Sequence, residues 1–307
     1  MGVGDVSSPG PRRSLPVLLL VSVRPEQWTK NLFVFAGVLF GQRLNNASSV
    51  LAALGAFAIF CGLSGAVYLC NDVADRTSDR AHPLKRHRPL ASGELKASTA
   101  LVAAGLLFAV SVAGAALMSA PLALTAVAYA LLLTLYSAVL KHVVILDVLA
   151  IAAGFVLRAA AGAIAVKVPI SEWLLICTTL LALFLALSKR RHELTLLTSG
   201  ATGHRPILQE YSPYLLDQMI GVVTASTLVA YCFYAISPDT ASKLGTTRLG
   251  VTIPFVLYGI FRYLYLVHLK REGGSPSTLL LSDRPLLVCV GLWSLSVILV
   301  LYSPLGR

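Results

Sequence analysis

The chain has 307 residues, 56% of them hydrophobic and 13% charged, with a mean hydropathy of +0.77. Soluble domains carry about twice that share of charge, so a water-soluble globular fold is excluded and a polytopic membrane protein is indicated. The net charge of +11 is therefore read as a matter of membrane topology, and no nucleic-acid partner is implied.

Residues 1–14 form a polar start, expected to be mobile. Arg12 and Arg13 precede an apolar run at 15–23, but no small-residue cleavage site follows it, so a signal peptide is not indicated. A second short run, 32–40, makes with the first either one broken span or an interfacial helix followed by a short span. A spanning helix needs about 20 apolar residues. Runs of that kind lie at 49–69, 97–118, 122–140, 143–166, 173–187, 219–236, 249–269 and 285–301. The expected fold is an all-α membrane bundle of about nine transmembrane helices. Residues 15–307 are expected to form a single transmembrane domain, since no linker divides them. Cys61, Cys70, Cys177, Cys232 and Cys289 lie in or beside apolar runs without a C-x-x-C pair. They read as small buried hydrophobes, not as disulfides or a zinc site.

The connecting segments fall into two alternating sets. One holds Arg76, Arg80, Lys85, Arg86, Arg88, Lys96, Lys141, Lys189, Arg190, Arg191, Arg205, Lys270, Arg271 and Arg284; the other holds only Arg43, Lys167, Lys243 and Arg248. The positive-inside rule places the first set in the cytoplasm. The long connections, 72–95 and 188–213, belong to that set, whereas 119–121 on the other side is barely a turn. Connections beyond turn length usually carry function.

One of these connections carries Asn71-Asp72-x-x-Asp75-x-x-x-Asp79 at the end of an apolar run. On a continuous helix the three acids return to nearly one face, and Tyr68 lies a turn before Asp72. Carboxylates crowded at a membrane boundary repel each other unless a cation sits among them. Magnesium prefers oxygen ligands and commonly joins carboxylates to substrate phosphates. The plainer alternative is a solvated helix end whose acids pair with Arg76 and Arg80. Ionisable groups at membrane depth favour function.

The motif, followed by Arg88-Pro89-Leu90-Ala91-Ser92-Gly93, resembles the first signature of the UbiA superfamily. That resemblance implies a polytopic helical enzyme that uses magnesium and a diphosphate leaving group. The superfamily carries a second acidic motif between its fourth and fifth spans. Here that region runs from Tyr136 through Lys141 to Asp147 and keeps a single acid. Basic residues stand where acids are missing. Arg158 lies within the fifth span, about 16 Å along the axis from Asp147 by helical rise, and is expected to meet a carboxylate of another helix or a substrate phosphate. Lys189, His192 and Glu193 share one helix face, while Arg190 and Arg191 read as anchors at the membrane surface. Lys85, Arg86 and Arg88 follow the acids within reach. Lys30 stands at the edge of an apolar run, where it can snorkel or face a cavity.

Arg24-Pro-x-Gln-Trp-x-Lys-Asn, the Asn71 motif, Gly154-Phe-Val-Leu-Arg158-Ala-x-Ala-Gly162 and Ser188-Lys-Arg-Arg-His-Glu resemble the decaprenyl-phosphate phosphoribosyltransferase branch of the superfamily. This implies transfer from 5-phosphoribosyl 1-diphosphate to a polyprenyl phosphate at a bacterial inner membrane, for cell-wall arabinan synthesis. On that resemblance Asp72, Asp75 and Asp79 hold Mg2+ and Asn71 orients the diphosphate. Lys85, Arg86, Arg88, Lys189 and Arg158 are phosphate ligands, with His192 and Glu193 beside them. Lys30, Tyr68, Tyr136 and Lys141 place the lipid phosphate. The sequence is compatible with a homo-oligomer. The rivals are an aromatic or quinone-precursor prenyltransferase using a prenyl diphosphate, and a transporter with Asp147 and Arg158 in an ion path. Neither an internal repeat nor paired broken helices supports the transporter.

The charge asymmetry makes a topological prediction. Single cysteines placed within 76–95 should react with a membrane-impermeant thiol reagent only after the cytoplasmic side is opened. Labelling from the outside of intact cells would reverse the assignment.

Overall fold

The computed structural model describes residues 13–83, 85–198, 206–270 and 276–303. Nearly all of the expected mobile start, together with Arg12, Arg205 and Arg271, lies outside the described residues. In chain order the helices are α1 (Leu15–Ser22), α2 (Ala36–Phe40), α3 (Ala47–Ala74), α4 (Arg76–Ala81), α5 (Pro89–Ser92), α6 (Ala97–Met118) and α7 (Ala120–Ala138). They continue with α8 (Leu146–Ala165), α9 (Glu172–Thr198), α10 (Pro213–Ile236), α11 (Pro238–Leu244), α12 (Ile253–His268), α13 (Pro276–Ser282) and α14 (Arg284–Tyr302). Among the described residues there is no strand, so the all-α expectation holds.

Eight helical stretches are long and apolar enough to cross a membrane, from Ala47–Ala74 to Arg284–Tyr302. The ninth expected span is broken into α1, a 3₁₀ segment over Pro25–Phe35 and the five-residue α2. Because the break precedes α3, the alternation of the later loops is unaffected. Large apolar side chains stand out from the spans, among them Leu117, Leu124, Leu131 and Val222. Such exposure suits hydrocarbon, not water.

Polar caps set the turns. Ser119 accepts from the Leu122 N–H at 3.3 Å, with Pro121 beside it, which makes the connection into α7 one residue long. Ser212 does the same for α10 at 3.0 Å. Asp283 caps α14 at the Leu286 N–H and takes a second bond from Arg262 at 2.8 Å. The Arg262 bond holds the Asp283 carboxyl below the usual carboxylate range.

The chain packs as two compact units, one from residues up to Pro25 with Gly62–Val110, the other from Glu26–Cys61 with Ser111 onward. α3 and α6 each contribute to both. The first unit is organised around Leu18, Leu69, Leu90, Leu95, Ala100 and Ala104. Its α5 ends at Gly93, whose φ of +88° lies in the left-handed region that favours glycine. That turn lets the Leu95 N–H reach back to the Pro89 carbonyl at 2.8 Å.

In the second unit α9 packs against both α8 and α10. The main apolar cluster includes Val148, Phe184, Leu187, Leu208, Leu216, Tyr263 and Leu266. The 3₁₀ segment lies against α8, and the approach is backbone to backbone. A Cβ on Gly162 would overlap the Val34 carbonyl, and one on Gly37 would lie 2.5 Å from the Ala163 nitrogen. A 3₁₀ run of eleven residues is unusually long. Irregular backbone survives at membrane depth only where protein covers it, and the glycine contacts provide that cover.

Gly162→Ala should therefore lower the thermal unfolding midpoint of the detergent-purified protein, at a cost of about 1–3 kcal/mol for overpacking. Gly105→Ala, whose Cβ would meet nothing within 4 Å, should leave the midpoint unchanged or raise it. Equal midpoints for the two variants would show that the backbone contact is not tight.

Candidate active site

In the first unit the apolar run of α3 carries on into Asn71 and Asp72, and the helix stops at Ala74. Asp75 stands at the break, and α4 restarts with Arg76. The hydrogen-bond ladder crosses the break: the Asp75 N–H reaches the Asn71 carbonyl and the Asp79 N–H the Asp75 carbonyl, both at 2.8 Å. Asp72 and Asp79 are thereby carried to one place, and each is only 3% exposed. Asp75, at the break, is half-buried and outside their pairing.

Two buried carboxylates need cations, and two arginines supply them. Arg88 is held in extended backbone by the proline that follows it. Its Nη1 donates to Asp79 Oδ2 at 2.6 Å and to Asp72 Oδ1 at 3.2 Å. Arg24 donates to the same Asp72 oxygen and lies over the Tyr68 ring at 4.7 Å. Arg24 has a positive φ of 54°, a costly conformation for a side-chain-bearing residue. Lys85 Nζ stands 4.0 Å from Asp79, and Arg86 is exposed beyond it.

The plainer alternative, acids paired to Arg76 and Arg80, is not what the structure shows. Arg80 donates to the Ala91 carbonyl at 3.0 Å and ties α4 to α5, and Arg76 Nε is buried without a hydrogen-bond partner. The expected single face for three acids is also corrected, because the helix breaks at Asp75. Among the described residues no three acidic, histidine or cysteine side chains assemble as a metal cluster. The Asp72–Asp79 pair nevertheless fits a hard divalent cation. It offers buried oxygen donors around a position that a cationic group, Arg88, already occupies.

The second unit holds two further ionic centres. At the first, Arg158 is 5% exposed. Its Nε donates to Asn31 Oδ1 at 2.7 Å, its Nη1 to the Gly154 carbonyl at 3.0 Å, and its Nη2 to the Tyr129 hydroxyl. The Tyr129 and Phe155 rings cover the guanidinium at 4.7 and 5.1 Å. Arg158 therefore meets neutral acceptors of the protein, not the carboxylate of another helix. It fastens the 3₁₀ segment that carries Lys30 and Asn31 to α8.

At the second centre Asp147, fully buried in the first turn of α8, faces Arg190, which is 1% exposed. Arg190 Nε lies 3.9 Å from Asp147 Oδ2, and its Nη1 lies 2.9 Å from Glu193 Oε2. Lys189 stands 3.9 Å from Glu193. The expected surface anchor is corrected for Arg190, which turns inward because Asp147 offers it a counter-charge. Arg191 remains half-buried and pairs with Asp217 at 3.1 Å. His192 is half-buried. Tyr211 donates to Asp147 Oδ1 at 2.8 Å and accepts from the Ile145 N–H at 2.8 Å. Burial pushes the Tyr211 phenol up to about 12, so it remains a donor. Tyr136 and Lys141 are half-buried, Lys141 on the turn Leu140–His142.

Sequence reasoning missed Arg24, Asn31, Tyr129 and Tyr211 as partners of these centres. Arg24 and Asn31 lie inside a quoted motif, so a signal existed. Tyr129 and Tyr211 are joined to their partners only by the tertiary fold.

Eight helices able to span a membrane, with acid–arginine pairs buried at the end of α3 and the start of α8, define an integral membrane protein. The chain belongs to the UbiA prenyltransferase family, whose model matches residues 31–282. It is 34% identical over 295 residues to a protein of Mycolicibacterium smegmatis named decaprenyl-phosphate phosphoribosyltransferase, covering 92% of each chain. A protein of the same name from Mycobacterium tuberculosis H37Rv is 31% identical, over 94% of this chain and 95% of that one. The fold is similar to a UbiA homologue of Archaeoglobus fulgidus solved with GPP and Mg2+. That likeness has a TM-score of 0.71 and 20% identity, and covers 92% of this chain and 99% of the other.

Because Arg158 serves three acceptors at once, Arg158→Ala should destabilise the folded protein by about 3 kcal/mol. Asn31→Asp, which supplies a charged acceptor to the same Nε, should be tolerated better than Asn31→Leu. Thermal unfolding in detergent measures both. A midpoint unmoved by Arg158→Ala would mean that these bonds do not hold the segment.

Proposed function

We propose that the chain transfers the 5-phosphoribosyl group from 5-phosphoribosyl 1-diphosphate to decaprenyl phosphate. The reading is carried by the likeness over 92% of both chains to a protein named for that reaction. The ionic centres support the reading. An oxygen of the lipid phosphate attacks the anomeric carbon of the ribose. The bond from that carbon to the diphosphate breaks, and the diphosphate leaves with the electron pair. The attacking phosphate is already an anion, so no strong general base is needed. Catalysis is positioning together with stabilisation of the charge on the leaving group.

On this reading Asp72, Asp75 and Asp79, with Asn71, hold magnesium on the donor. When bound, that ion draws off charge developing on the diphosphate. Lys85, Arg86 and Arg88 donate to phosphate oxygens, for which the arginine fork suits bidentate contact. Lys189, His192 and Glu193 contribute a further polar group, and Arg158 supports the reading by fixing the segment that carries Lys30. Lys30, Tyr68, Tyr136 and Lys141 receive the lipid phosphate. The membrane is a bacterial inner membrane, with the acidic loop in the cytoplasm, as the lysine and arginine asymmetry supports.

The test is to give purified protein labelled 5-phosphoribosyl 1-diphosphate, decaprenyl phosphate and magnesium, and to follow lipid products by mass spectrometry. A phosphoribosyl lipid with release of diphosphate is the expected result. Consumption of a prenyl diphosphate onto an aromatic acceptor, with no phosphoribosyl lipid, would replace this reading with the aromatic one. Asp72→Asn and Asp75→Asn should each remove turnover while the protein stays monodisperse. Full activity in either would take that carboxylate out of the metal-binding role.

A further inference from the structure

The connection between α7 and α8 ends in a residue that resists its own conformation. Ile145 has φ 68° and ψ −43° at the N-cap of α8. A β-branched residue at positive φ is a genuine outlier, and such strain persists only where the surroundings impose it. Here the imposition is visible. The Ile145 carbonyl accepts the Leu149 N–H at 3.0 Å, which fixes its helical side. Its N–H is taken by the Tyr211 hydroxyl at 2.8 Å, and that hydroxyl is anchored in turn on Asp147 Oδ1 at 2.8 Å. Tyr211 is 4% exposed and packed in the main apolar cluster of its unit. The turn Pro206–Glu210 just before it lies against the turn Leu140–His142. One phenol thus joins the start of α8 to the segment ahead of α10.

The group that this arrangement presents is Lys141, four residues before Ile145. It is half-buried and has no ion pair or side-chain hydrogen bond with any described residue. A half-buried ammonium without a counter-charge on a connection held under strain is a cation kept for an anion. We infer that Tyr211 is a positioning residue for the acceptor, its phenol holding the strained connection so that Lys141 meets the lipid phosphate. The inference rests on the proposed role of Lys141 as a ligand of that phosphate.

The experiment measures steady-state kinetics with decaprenyl phosphate in mixed micelles for the wild type, Tyr211→Phe, Ile145→Gly, Tyr211→Phe/Ile145→Gly, Lys141→Ala and Tyr211→Phe/Lys141→Ala. Tyr211→Phe keeps the ring in its cluster and deletes both hydrogen bonds. It should raise the acceptor KM roughly threefold to tenfold, the ratio for losing the bond to the Ile145 N–H that holds the connection. The kcat and the KM for 5-phosphoribosyl 1-diphosphate should change less than twofold.

Glycine adopts positive φ without strain. Ile145→Gly should therefore restore most of the acceptor KM lost in Tyr211→Phe, and the double variant should fold even where the single one does not. Lys141→Ala should raise the acceptor KM, and adding Tyr211→Phe to it should cost nothing more. If Lys141→Ala raises that KM while Tyr211→Phe leaves it unchanged, the positioning role is wrong and the Lys141 reading stands. If Lys141→Ala has no effect, the Lys141 reading fails and the inference falls with it. Full additivity of the two substitutions, or no rescue by Ile145→Gly, would place the action of Tyr211 elsewhere.

Discussion

Charge in a low-dielectric interior must be matched at contact distance, and this constraint orders the whole chain. At an effective dielectric near 20, two unit charges at 4 Å interact by about 4 kcal/mol. Leaving one of a buried pair without its partner costs about 3–5 kcal/mol. Asp72 and Asp79 are matched by Arg88 and Arg24. Asp147 is matched by Arg190 and by the Tyr211 hydroxyl. Each match fixes a piece of irregular backbone. Arg24 and Ile145, both at positive φ, stand at or beside such a contact. The strain is local, and the ionic and hydrogen-bonded partners are what hold it.

Arg158 meets the same constraint differently. It has no carboxylate, and its charge is spread over a carbonyl, an amide oxygen, a phenol and two aromatic faces. Cation–π contacts strengthen when desolvated, so two rings over one guanidinium are effective at this depth. The arrangement leaves a positive charge buried in the second unit and held by neutral acceptors. Gly162 acts with it, since the same 3₁₀ segment that supplies Asn31 can reach α8 only where a side chain is missing. Charge and close packing thus hold one irregular segment that neither secondary-structure propensity nor hydropathy would have kept in place.

The sequence revealed what depends on periodicity and composition. The eight long spans and the tight connection at 119–121 follow from apolar run length. The acidic motif was legible because Asp72 and Asp79 are seven residues apart, a spacing that survives the helix break at Asp75. What stayed hidden depends on contacts distant in sequence. Asp72 is served by Arg24, 48 residues earlier, and not by the adjacent Arg76. Arg190 looked like one of a surface pair with Arg191 because a run of basic residues carries no mark of which member faces inward. Only the fully buried Asp147, 43 positions away, selects it. The broken first span was ambiguous for a related reason, since a 3₁₀ run and a short α-helix share the same apolar composition.

The pairing in the first unit bears on how its acids can serve a diphosphate. Asp72 and Asp79 stand against Arg24 and Arg88, with Lys85 4.0 Å from Asp79, so the buried acids are matched by basic groups of their own unit. A centre of that kind can exchange partners without building up charge in a poorly hydrated place. On the proposed reading, Asp72 and Asp79 would hold the donor's cation, which would supply charge neutralisation, and Arg24 and Arg88 would turn to the diphosphate. Both exchanges replace one ionic contact with another, so the desolvation of the acids and arginines is already met in the folded protein. Arg88 is the side chain best placed for this exchange. Its single Nη1 serves both acids, which leaves the other guanidinium N–H groups for the forked contact that phosphate favours. A lysine at that position would keep the charge but offer no second edge for the phosphate. On the proposed reading, that second edge is what an arginine at position 88 adds to its charge.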